Sequence, residues 1–108
     1  MLKDVKDYFR AELGITDDML GDFVKTFLSS FDASARDLEA ILAAPQVDFP
    51  AVRRATHTLK GFAETSGAED IRDKAVALNA SAHAADADAC RAGARAILEL
   101  HAAYRAEA

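Results

Sequence analysis

Residues Ala55–Ala68 read ATHTLKGFAETSGA, and the fold turns on this stretch. At about 100° per residue, Val52, Ala55, Leu59, Phe62, Ala63 and Ser66 share one side of a helix. His57 falls on the other side, with Arg53, Arg54, Lys60, Gly61 and Glu64 within about 60° of it. Pro50 lies on that face too, nearer the helix start. A glycine inside a helix costs about 1 kcal/mol relative to alanine, so Gly61 needs a reason. With no side chain one turn from an outward histidine, another molecule can approach the imidazole closely.

The surrounding sequence also reads as helix. Asp48 is placed to cap this segment, Pro50 is tolerated in its first turn, and Gly67 marks its end near Ser66. Upstream, Leu2, Val5, Phe9 and Leu13 keep helical spacing up to Gly14. Thr16 or Asp17 can cap a second segment whose apolar residues run from Met19 and Leu20 through Phe23, Val24, Phe27 and Leu28 to Phe31. That stripe is wider than a one-sided surface helix needs. The helix therefore packs between two neighbours, or leaves one edge, Met19 and Phe23, for a partner. Ala35, Leu38, Ile41 and Leu42 form a third segment, ended by Pro45. Ile71, Ala75, Leu78 and Ala82 line a fifth. After the connection HAADADA, with Asp86 as cap, Ala92, Ala96, Ile97, Leu100 and Tyr104 line the last.

Six segments joined by short connections predict an all-α fold, an antiparallel up-and-down four-helix bundle with additional N-terminal helices. Residues 1–108 read as a single domain, with 1–14 as an extra helix and the four-helix body at about 32–106. Composition agrees: 25 of 108 residues are alanine, with only two prolines and five glycines. The net charge of −5 argues against a nucleic-acid binder. The N-terminus mixes charges among its apolar residues, unlike a signal peptide, and no apolar run is long enough to span a membrane. A single cysteine, Cys90, excludes an intrachain disulfide framework and fits a reducing compartment. The cytoplasm is the expected location.

An exposed histidine amid three cations, in an acidic chain, is suited to receive something negative. Phosphoryl is the natural candidate. Neutral imidazole attacks phosphorus through one ring nitrogen while the other keeps its proton. Imidazole is substantially neutral near cellular pH, and nearby cations favour that form. Lys60, at i+3, is spaced to offset charge on the transferred oxygens. There is no phosphate-cradling glycine loop for ATP and no aspartate for activating a water.

His57-Thr58-Leu59-Lys60-Gly61, followed by Gly67-Ala68, resembles the H-x-L-K-G…G-A signature of histidine-containing phosphotransfer (HPt) domains. The helical pattern from about Ile15 to Tyr104 is similar to the whole HPt bundle. The resemblance implies that His57 takes phosphoryl from a receiver-domain phospho-aspartate and passes it to a second receiver. It implies that Lys60 stabilises the phosphoryl group and Gly61 admits the receiver. Arg53, Arg54, Glu64, Met19 and Phe23 become candidate contacts. The implied partners are response-regulator receivers and the receiver of a hybrid histidine kinase. No cofactor is implied, magnesium being bound by the receiver. Phe62 and Glu64 stand where the family commonly has small residues, and Ser66 where it has an apolar one. Phe62 projects to the core side and replaces volume that Ser66 lacks; Glu64 can pair with Lys60 or select a partner.

Other readings are weaker. His83, Cys90 and His101 lack the spacing of a zinc site. Thr58, Thr65 and Ser66 point away from His57 or bond their own backbone, which excludes a hydrolytic triad. An adaptor that binds a receiver without being phosphorylated needs neither the exposed histidine nor the lysine. The start methionine and complete bundle favour a stand-alone protein over a domain of a larger kinase, and one histidine on one bundle predicts a monomer.

Overall fold

The computed structural model describes residues 1–108 as five helices and no strands. They are α1 (Leu2–Leu13), α2 (Asp17–Ala43), α3 (Phe49–Ser66), α4 (Glu69–His83) and α5 (Ala87–Ala106). Helices α2 to α5 form a ring in which α3 packs on α2 and α4, and α5 on α4 and α2. The connections are short, so successive helices run up and down. Helix α1 lies outside the ring, across α2 and α3. One apolar core draws on all five helices.

The helix ends follow local chemistry. The Asp48 carboxylate accepts the Ala51 amide at 3.0 Å, and the Asp86 carboxylate accepts the Ala89 amide at 3.0 Å. Gly14 and Gly67 close α1 and α3 in the left-handed conformation, at φ 65° and 66°. Helix α2 stops at Ala44, extended ahead of Pro45. Thr16 starts α2, but its hydroxyl bonds the Asp18 carboxylate rather than a backbone amide.

Three expectations change. The second and third segments are one 27-residue helix, so α2 runs unbroken through residue 32, where the sequence reading opens the four-helix body. No glycine or proline interrupts residues 22–44, and the buried stripe Phe27, Phe31, Ala35, Leu38 and Ile41 continues at helical spacing. Ser29, Ser30, Asp32 and Ser34 have weak helix propensity, which tertiary packing overrides. In α5, Ala92 is exposed and Ala96 half-buried, whereas Cys90 and Ala94 are buried with Ile97 and Tyr104. Alanine carries little information about facing, so spacing alone does not fix the inner face of α5. The connection between α4 and α5 is also shorter than HAADADA, since His83 is still helical and Ala87 already is.

Helix α1 buries Leu2, Val5 and Phe9. The Phe9 ring meets Phe23 of α2 edge-on, with centroids 5.6 Å apart. Its neighbour Tyr8 sits over the α3–α4 turn: a Cβ built on Gly67 would lie 2.5 Å from the Tyr8 ring. Across the core, Phe27, Phe31, Phe62 and Tyr104 form a continuous aromatic cluster joining α2, α3 and α5. Phe62 thus fills space toward the core as expected. Tyr104 is buried, and its hydroxyl donates to Asp70 at 2.8 Å. Burial first, then that carboxylate, pushes the phenol well above its ordinary range. No helix is long and apolar enough to cross a membrane.

Candidate functional site

Helix α3 buries Val52, Ala55, Thr56, Leu59, Ala63 and Ser66 against the bundle. That leaves Arg53, Arg54, His57, Lys60, Gly61 and Glu64 on its exposed side. Thr56 is the one buried member absent from the sequence reading. Its hydroxyl lies 2.9 Å from the Arg53 carbonyl and 3.3 Å from Asn79 Oδ1 of α4. Thr58 donates to the Arg54 carbonyl, and Thr65 bonds carbonyls of its own turn, so neither is free to act as a nucleophile.

Arg53, Arg54, His57 and Lys60 come together along a groove between α3 and α4. Its other wall carries Val76 and Asn79, neither singled out from sequence, and His83, weighed there only as a metal ligand. Val76 is about half exposed, a large apolar residue off the buried Ile71–Ala75–Leu78–Ala82 stripe. That misplacement is readable in the sequence; which helix it faces is not.

Beside the groove, Gly61 is exposed, and a Cβ added there would meet nothing within 4 Å. The packing of this chain therefore makes no use of the missing side chain. Glu64 pairs loosely with Lys60, Nζ to Oε1 4.0 Å, both side chains about half exposed. It also lines a cleft between α1 and the α3–α4 turn, with Asp4, Asp7, Glu12, Glu69 and Asp70. Met19 and Phe23 do not reach the His57 groove. Met19 is half exposed on α2, and Phe23 lies under Phe9 in a separate apolar groove with Phe27 and Phe62. The other two histidines and the cysteine are dispersed: His83 in the groove, His101 on Asp32, Cys90 buried in α5. Burial pushes the Cys90 thiol up.

An outward histidine ringed by cations, one turn from an open glycine, is suited to hold a dianionic group that arrives from another molecule. A family model described as the Hpt domain matches residues 22–107. The chain belongs to the Hpt family. Hpt domains carry phosphoryl groups in two-component phosphorelays and interact there with receiver domains. The match spans most of α2 and all of α3 and α4, and it extends just beyond α5; α1 lies outside it. No curated protein and no solved structure matches the chain.

Proposed function

We propose that His57 accepts a phosphoryl group from a receiver phospho-aspartate and passes it to the aspartate of another receiver. The observation that carries this reading is His57 exposed on α3 with Lys60, Arg53 and Arg54 in one groove, inside the Hpt match. In the accepting step a ring nitrogen of neutral His57 attacks phosphorus as the acyl P–O bond breaks. The carboxylate leaves with the bonding pair. The other ring nitrogen keeps its proton, and the imidazolium so formed carries the positive charge. Transfer onward reverses these steps on the second receiver.

Lys60, one turn along, offsets charge on the phosphoryl oxygens. Gly61 leaves clearance for the receiver's active site. Arg53 and Arg54 steer an acidic docking face toward a chain whose net charge is −5. Met19, half exposed on α2, and Phe23, in the separate groove with Phe9 and Phe62, offer apolar contact away from the His57 groove. The receiver supplies the magnesium, the protein acts as a monomer in the cytoplasm, and its partners include response-regulator receivers and the receiver of a hybrid kinase.

Incubation with a phosphorylated receiver should place acid-labile, base-stable label on the protein, and His57→Gln should lose it. Label that persists in His57→Gln would sink the assignment.

A further inference from the structure

We infer that Glu64 is a counter-anion to Lys60 that weakens the protein's hold on phosphoryl and so keeps the group transferable. The inference rests on His57 being the phosphorylated residue. Lys60 lies between two anionic positions on one helix face, three residues after His57 and four before Glu64. Both spacings bring side chains together. In the unphosphorylated protein the lysine pairs with Glu64, Nζ to Oε1 4.0 Å.

That distance is beyond a hydrogen bond, and both side chains are about half exposed, so the pair is loose enough to open. Glu64 stands beside Asp4, Asp7, Glu12, Glu69 and Asp70, and Arg72 is the one arginine or lysine lining that cleft. Asp4 pairs with the N-terminal ammonium and Asp7 with Lys3 and Arg10, while Glu64 has Lys60 as its one ion-pair partner. A phosphoryl dianion on His57 must draw the lysine from that role, against the repulsion of Glu64. The core does not require a carboxylate at this position, since residue 64 is exposed.

The test has two arms, each on wild type, Glu64→Gln, Lys60→Ala and the double variant. In the first, phosphoramidate phosphorylates the protein without any receiver, His57→Gln identifies the His57 signal, and phosphorus NMR follows ionisation of that phosphoryl group. In the second, the equilibrium between phosphorylated protein and a phosphorylated receiver is measured.

Glu64→Gln should raise the acid dissociation constant of the phosphoryl group about twofold, as expected for one i,i+4 pair. The transfer equilibrium should move toward the phosphorylated protein by about the same factor. Both effects should shrink when Lys60 is alanine, and fade near 1 M salt, where screening acts over about 3 Å. No change in the dissociation constant, or an equal change with Lys60→Ala, overturns the inference. A coupled change in the chemical arm with no label from any receiver upholds the role of Glu64 and overturns the receiver assignment instead.

Discussion

Gly61 and Gly21 both sit inside helices, both are exposed, and at neither would a Cβ meet another atom within 4 Å. By folding physics they are equivalent: alanine at either position should stabilise by up to about 1 kcal/mol. They differ in their surroundings. Gly61 follows Lys60 one turn from His57, whereas Gly21 is in the second turn of α2, away from any histidine. Glutamine at each separates stability from function. Gly21→Gln should raise the denaturation midpoint and leave receiver transfer unchanged. Gly61→Gln should raise the midpoint similarly but slow transfer at least tenfold, because the new side chain fills the receiver's approach. Equal transfer by the two variants would remove the clearance role.

Among the elements, the α3–α4 turn is constrained both by its backbone and by a packed ring. Gly67 takes φ 66°, and the Tyr8 ring occupies the space a Cβ would need. Two costs therefore fall on Gly67→Ala: a left-handed backbone, and displacement of the half-buried α1 ring seated over the turn. The loss should be about 1–3 kcal/mol in denaturant melts, with strain of this kind as the guide. Tyr8→Ala should recover part of it, since the clash goes and the backbone strain stays. Full recovery would assign the whole cost to the ring. The turn also sets where α4 starts, and through α4 the positions of Val76, Asn79 and His83 opposite His57. Gly67→Ala should therefore reduce transfer more than its stability loss alone predicts.

Across the whole molecule, α2 and α5 are joined by a polar cluster remote in sequence from the site. Asp32 accepts from Nε and Nη2 of Arg105, and His101 Nε2 lies 2.7 Å from its Oδ1 while the imidazole meets Phe31 edge-on. The Arg105 hydrogen bond is the main reason the Asp32 carboxyl is held at about 2; partial burial opposes it and His101 adds to it. The folded value lies below the unfolded one, so the stabilisation is present above about pH 4 and is lost as pH falls toward 2. With the side chain about a quarter exposed, it should contribute about 1–2 kcal/mol. Urea melts of Asp32→Asn should show that loss at pH 7 and little at pH 2. A pH-independent difference would rule out titration of Asp32 as the cause. The cluster faces away from the α3–α4 groove, so transfer measured near pH 7 should change little in this variant.

How much was legible in advance follows from what each signal depends on. Helix content, the caps at Asp48 and Asp86, the stops at Gly14 and Gly67, and the outward face bearing Arg53, His57, Lys60 and Gly61 are local. They depend on spacing along one helix and on groups a few residues apart, so they can be read directly from the order of residues. The continuity of α2, the true inner face of alanine-rich α5 and the contact of half-buried Phe23 with Phe9 depend on what packs from elsewhere in the chain. So do the wall of Val76, Asn79 and His83, and the Tyr8 ring seated on Gly67. Those features come from packing between helices, because periodicity reports which residues share a face but not which face of another helix it meets.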